Sequence, residues 1–278
     1  MKTFIAALAL MSSSAVFAWG ATGHRVVGEV ATKFLEVETI GKLNRILKGQ
    51  SLARISTWPD EIKSEPATYQ HTFNWHYTTW QTDVHSHGAE NENSSTGFLM
   101  TSVEAQTAVL RNPNATDSEK EFALKFIVHL IGDAHMPLHV GNGTDQGGNY
   151  CKVTYMGKAF NLHALWDEGM IDFTNLSFTE LARFVSQGRT LSEIKDAKNG
   201  VLGDWVRESK NLVPTLYPAQ VATSTQPIST LTYCEKDAPA EIQPKLSYEY
   251  AYKHLPVIET RLFQAGVRLA KVLNENLK

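Results

Sequence analysis

The chain has 278 residues, with 26 Lys and Arg against 29 Asp and Glu, a formal net charge of −3 and a pI near 6.4. That balance excludes an overall basic surface able to grip polyanions, so a phosphate-bearing ligand would have to be met by charge concentrated locally. No Gly/Ser linker divides the chain, and its length suits one large core.

In chain order, "MKTFIAALALMSSSAVFA" combines an early lysine, an apolar run from Phe4 to Met11 and small residues at Val16 and Ala18. This pattern predicts a secretory signal peptide over 1–18, too short to span a bilayer, with a buried N-terminal helix as the alternative. The expected mature protein is then a single domain over 19–278, starting at Trp19 and secreted or periplasmic. No later apolar run is long enough for a membrane span. "GHRVVGEVATKFL" sets Val26, Val27, Val30, Ala31 and Phe34 on one helical face after a candidate Thr22 cap, and "IGKLNRILKG" continues until Gly49.

From Thr116, "TDSEKEFALKFIVHLIGDAH" opens with capping chemistry and runs at helical period to Pro137. "YCKVTYMGKAF" alternates like a short β-hairpin near 150–160, turning at Met156 and Gly157. "SFTELARFVSQG" and "GVLGDWVRESKNLV" are amphipathic helices. The last segment puts Ile258, Leu262, Leu269 and Leu273 on one stripe, with Pro256 expected to start or kink the helix. Residues 81–97 read as an exposed polar loop carrying His85 and His87, and residues 214–244 as an irregular excursion. The fold class is therefore all-α, with one hairpin. Cys151 and Cys234 fit one disulfide in an oxidising compartment, two buried free thiols being the alternative. Sequons begin at Asn93, Asn114, Asn142 and Asn175 and matter only in a glycosylating host.

"FIVHLIGDAHMPLH" places His129 and Asp133 four apart, on one helical face, inside an otherwise apolar run, and His163 and Asp167 repeat the spacing. An isolated pair of this kind is more often a surface hydrogen bond. Here the context is hydrophobic and the stretch from Phe126 to His139 holds no Lys or Arg, so a divalent cation answers the charge. His139, just past Pro137, can fold back to the same place. His135 fits only a structural or supporting role. Histidine with aspartate and no thiolate suits zinc.

Taken together, "WGxxGH" at 19–24, "WPDEIK" at 58–63, "WHY" at 75–77, "HLIGDAHMPLH" at 129–139, "GGN" at 147–149 and "NLHALWD" at 161–167 resemble the trinuclear-zinc single-strand nuclease family, the S-one and P-one type nucleases. That family is related in fold to zinc-dependent phospholipase C. The resemblance implies three Zn2+. One would be held by Asp60, His76, His129 and Asp133, a second by His139, His163 and Asp167, and a third by His24, the shared Asp133 and the backbone amine and carbonyl of Trp19. It further implies hydrolysis of single-stranded DNA and RNA by a metal-bound hydroxide to 5′-phosphate products, with 3′-nucleotidase activity. Asp60 would orient the water, Lys63 neutralise the phosphate, Tyr77 stack on a base and Asn149 line the base or phosphate pocket.

Thr79 stands where the family often has an Asp that reads the base, and Tyr155 and Phe160 are candidates for the second wall. No membrane and no obligate protein partner are expected. A zinc phospholipase C on the same scaffold is the alternative activity. A metal-binding module without turnover would not need so many ligands.

Overall fold

The computed structural model describes residues 19–79, 97–141, 145–219 and 232–277. The leader, the loop carrying His85 and His87, and the sequons at Asn93 and Asn142 lie outside the described residues. Helices dominate: Ala21–Thr32, Val37–Ile46, Leu99–Arg111, Asp117–Asp133, Phe178–Ser186, Leu191–Lys198, Leu202–Leu212 and Tyr248–Asn276 are the longer ones.

The Asp117–Asp133 helix is the central element. Thr116 caps it reciprocally with Glu119: the Glu119 N–H donates to the Thr116 hydroxyl, and the Thr116 N–H donates to the Glu119 carboxylate. Two acidic residues in its first turn suit the positive end of the helix dipole. From Ala123 to Asp133 nearly every residue is buried, so this helix has no solvent face at its C-terminal end. It stops at Asp133 rather than at Pro137, because the proline drives Met136 out of helical conformation (φ −88°, ψ 113°) before a short 3-10 turn over Pro137–Val140.

The Ala21–Thr32 helix packs between the central helix and the C-terminal helix. Its cap position is Gly20, not Thr22, whose hydroxyl instead donates to Asp172. The Tyr248–Asn276 helix buries Ile258, Leu262, Leu269 and Leu273 as the stripe requires. Pro256 does not start it: the proline lies inside the helix on its exposed face, where the missing hydrogen bond is left to water. The Leu191–Lys198 helix escaped the sequence reading although Thr190 and Glu193 form a capping box.

The hairpin is present as β1 (Lys152–Tyr155) and β2 (Lys158–Asn161), with Met156 and Gly157 both at positive φ, as a tight two-residue turn requires. A short β3 (Lys245–Leu246) joins β1 in parallel, giving the order β2-β1-β3. Cys151 and Cys234 are bonded to each other at 2.03 Å, so the two-thiol alternative falls. The bridge ties the irregular segment to the start of β1. No helix among the described residues is long and apolar enough to cross a membrane.

Candidate metal centre

Five other elements converge on one end of the central helix. His24 comes from the first long helix, Asp60 from the short Trp58–Glu61 helix, and His76 from the end of the Gln70–His76 3-10 segment. His129 and Asp133 stand one turn apart on the central helix. His139 comes from the Pro137–Val140 turn, and His163 and Asp167 from the helical segment after β2, where a π-turn spans Leu165–Gly169. All eight side chains are buried.

They form three groups: His24, His129 and Asp133; Asp60, His76 and His129; and His139, His163 and Asp167, with the potential ligand atoms of each group within 4.8 Å of one another. Asp133 faces two ways. Its Oδ1 lies 3.3 Å from His24 Nε2, and its Oδ2 lies 3.3 Å from His76 Nδ1 and 3.4 Å from His129 Nε2. Asp60 Oδ1 is 3.7 Å from both His76 Nδ1 and His129 Nε2. In the third group Asp167 stands 3.0 Å from His163 Nε2 and 3.6 Å from His139 Nε2. Ligands about 2.0–2.1 Å from a tetrahedral ion are separated by roughly 3.3 Å, so most of these spacings are those of a coordination edge.

Backbone carbonyls fix the imidazoles. His129 Nδ1 donates to the Ser56 carbonyl at 2.7 Å, His163 Nδ1 to that of Gly147 at 2.8 Å, and His139 Nδ1 to that of His76. Each ring is thereby left with an Nε2 lone pair aimed at its group, the arrangement that supports a metal-binding histidine. The His24 ring stacks on His129 at 3.7 Å.

Electrostatics asks for a cation. Burial pushes His24 and His76 well below the ordinary imidazole value, and His129 to about 4, so the rings are neutral and ready to bind metal. Burial, with the charges of Asp60 and Asp167, pushes Asp133 well above the usual carboxylate range. In the third group burial opposes charge on both partners, but mutual attraction wins: His163 is raised and Asp167 lowered. Both oxygens of Asp133 and of Asp167, and the Nε2 atoms of His24, His139 and His163, are buried without a hydrogen-bond partner. Orphaned acceptors in this number, all convergent, fit divalent metal and fit little else.

A cleft of about 350 Å³ opens over the groups, lined among others by Lys63, His76, Tyr77, His139, Asn149 and His163. Lys63 Nζ donates to Asp60 Oδ1 at 2.7 Å, which holds a cation at the rim of the metal groups. Tyr77 is half-buried, its hydroxyl donating to Asn74. The Asn149 amide donates to the Gln146 carbonyl at 2.8 Å. Trp19 is fully buried, and a methyl on Gly132 would lie between its ring and that of His24.

A model of the S1/P1 Nuclease family matches residues 19–278. The chain belongs to the S1/P1 nuclease family. It is 31% identical to "Nuclease S1" of Aspergillus oryzae over 97% of this chain and 96% of that protein. It is likewise 31% identical to "Endonuclease 3" of Arabidopsis thaliana over 92% and 88%, and 26% identical to "Nuclease P1" of Penicillium citrinum over 92% and 97%. The protein is thus a hydrolase of the nuclease class with the helical fold of this family, which is zinc-dependent, and its His/Asp groups are where metal fits.

Sequence reasoning missed some of this S1/P1 family member's cleft. Phe73 and Gln146 line it, beside the Thr79 that the resemblance singles out. Tyr155 and Phe160 do not: they sit with Phe173 beside Glu168, in a different depression. Phe73 is one turn before His76 in the same segment, a spacing that could have flagged it. His135 points away from the metal groups, donating through Nδ1 to the Ile131 carbonyl and accepting from Arg268 through Nε2 at 2.9 Å.

Proposed function

We propose that the protein cleaves single-stranded DNA and RNA and removes 3′-phosphates from nucleotides, leaving 5′-phosphate ends on the polynucleotide, with three zinc ions at the His/Asp groups. The observation that carries this reading is Asp133, a fully buried carboxylate whose two oxygens face two different sets of imidazoles beside a cleft holding Lys63, Tyr77 and Asn149. Asp60, His76, His129 and Asp133 would hold one ion, His139, His163 and Asp167 a second, and His24, Asp133 and the Trp19 terminus a third. Zinc in such a site supplies Lewis acidity and lowers the pKa of water towards about 7.

The chain's own groups do the remainder. Asp60, held by Lys63, accepts a hydrogen bond from the attacking water and orients it. The Lys63 ammonium meets the charge that builds on the phosphate oxygens. Tyr77 offers its ring face to a base, which a single strand can splay out and a duplex withholds. Attack opposite the 3′ oxygen leaves the phosphate on the 5′ side.

The Trp19 amine can serve only if the leader is removed after Ala18, since an amide nitrogen is a poor ligand whereas an α-amine near pKa 8 gives up its proton readily. The Cys151–Cys234 bridge and the leader both support secretion or a periplasmic location. The decisive experiment measures zinc per chain and hydrolysis of single-stranded against duplex oligonucleotides, with phosphatidylcholine as a control substrate, on protein beginning at Trp19. Fewer than two bound zincs, or cleavage of the lipid alone, would refute the reading.

A further inference from the structure

Gln146, Gly147 and Gly148 follow one another at positive φ, 54°, 61° and 82°. Successive left-handed residues are rare because only glycine enters that region freely, so something must hold the turn. The turn is also tightly threaded: a Cβ on Gly147 would fall within 2.3 Å of the Leu138 carbonyl oxygen.

Asp145 supplies the hold. It is 6% exposed, its Oδ1 accepts the Gly148 N–H at 3.1 Å and its Oδ2 accepts the Tyr217 hydroxyl at 2.5 Å. Burial, with the charge of Asp145, raises the Tyr217 pKa, so the phenol stays protonated as a donor. The Asp145 main-chain carbonyl meets the Tyr150 N–H at 3.1 Å, closing the turn from its other end. Two groups of the cleft depend on the result. The Gly147 carbonyl receives His163 Nδ1, and the Gln146 carbonyl receives the Asn149 side-chain amide.

We infer that Asp145 is a positioning residue for the nuclease site: clamped by Tyr217, it locks the left-handed 146–148 turn and thereby fixes the aim of His163 Nε2 and of the Asn149 amide. The inference rests on the nuclease reading for its kinetic consequence but not for its effect on metal retention. Asp145 is not itself a ligand. It lies near Cys151 and Cys234, a grouping that resembles a metal site, but both sulfurs are consumed in the disulfide.

The test compares Asp145→Ala, Asp145→Asn and Tyr217→Phe in the mature, zinc-loaded protein, reading zinc retained against a graded chelator, kcat and KM on a single-stranded oligonucleotide, and Tm. Asp145→Ala is expected to release part of its zinc at about tenfold lower chelator concentration and to lose about tenfold or more in kcat. Asp145→Asn keeps the acceptor for Gly148 and restores most of both. Tyr217→Phe shifts zinc retention the same way by less. A residue with a merely structural role would lower Tm while leaving kcat per folded, loaded chain unchanged, and that result would overturn the inference, as would equal losses in the Ala and Asn variants. Should Asp145→Ala fail to fold, wild-type zinc retention in Tyr217→Phe overturns it alone. If the wild-type protein cleaves no nucleic acid, the nuclease reading fails, and the zinc-retention arm still decides this inference.

Discussion

Gly132→Ala adds one methyl group to the protein and touches no ligand by substitution. The added Cβ would stand 2.9 Å from His24 Nδ1, 3.1 Å from His24 Cε1 and 3.6 Å from Trp19 Cδ1. Comfortable contacts lie at about 3.5–4.0 Å, so the His24 ring must give by roughly half an ångström or more. It is not free to slide, because the ring also stacks on His129 with centroids 3.7 Å apart. The ring therefore tilts and carries Nε2 away from Asp133 Oδ1, now 3.3 Å distant. Two effects of opposite sign compete. Alanine favours a helix interior over glycine by about 1 kcal/mol, whereas overpacking a rigid site costs about 1–3 kcal/mol. The clash should offset or outweigh the helix gain, lowering stability by roughly 0–2 kcal/mol on these figures, with metal affinity or turnover down about 10- to 100-fold, as for a disturbed ligand support. The assay is zinc per chain by emission spectroscopy, with Tm and kcat on a single-stranded oligonucleotide. A Gly132→Ala protein that gains stability and keeps full zinc and full kcat would refute the packing argument at its root.

Lys63→Ala should lower kcat by about a hundredfold, the scale of losing one donor to a developing charge, while zinc content stays at the wild-type value; loss of zinc would reassign Lys63 to structure. Tyr77→Ala should weaken single-strand binding by about 1–3 kcal/mol and narrow the preference over duplex, seen as a raised KM, and an unchanged ratio would remove Tyr77 from base contact. One extra residue ahead of Trp19 should reduce both zinc content and activity, checked by comparing the two termini on otherwise identical protein; equality would exclude the amine as a ligand. Acid should destabilise the fold in two stages. Burial, with the charges of Arg261 and Arg268, holds His135 well below its usual 6.5, so its contribution is present above that value and fades as pH falls through it. Glu208 is desolvated but held below 4.5 by hydrogen bonds from Arg268 and Arg261, so its contribution fades below that value. His135→Gln should therefore flatten the decline of Tm between about pH 6.5 and 4.5, and parallel curves for the two proteins would contradict this.

The local rules that sequence exposes were enough for the helices with strong caps and stripes, and for the hairpin, whose Met156–Gly157 turn demands positive φ. They failed where tertiary context decides. The start allowed at Pro256 lies instead at Tyr248, because the proline faces water and is tolerated mid-helix, and β3 is two residues long and exists only as a partner for β1. The sequence likewise marked His129 with Asp133 and His163 with Asp167, pairs four apart that the structure buries among further imidazoles, whereas His24, Asp60 and His76 stood out only through the family resemblance. It could not mark the backbone atoms that aim them. The carbonyls of Ser56 and Gly147 carry no side-chain signature, and Asp145 reads as one more polar residue in a loop until Gly148 and Tyr217 are seen to close on it.

His135 shows how the same element serves two purposes. It lies two residues past Asp133, yet its ring joins a buried cluster in which Arg268 and Arg261 both reach Glu208 and Arg261 also grips the His135 carbonyl at 3.2 Å. Arg261 further donates to Ser209 and to the Trp205 carbonyl, binding the Leu202–Leu212 helix to the same point. The turn that separates Asp133 from His139 is thus anchored on the side away from the metal groups by charges already paired. Buried arginines are expensive to desolvate and give little net stability, but they fix geometry because any shift leaves a charge unpaired. A shift of the turn would change the spacing between Asp133, whose two oxygens face different imidazoles, and His139 of the third group. A salt-bridged anchor behind the turn adds a directional hold to the close packing around it.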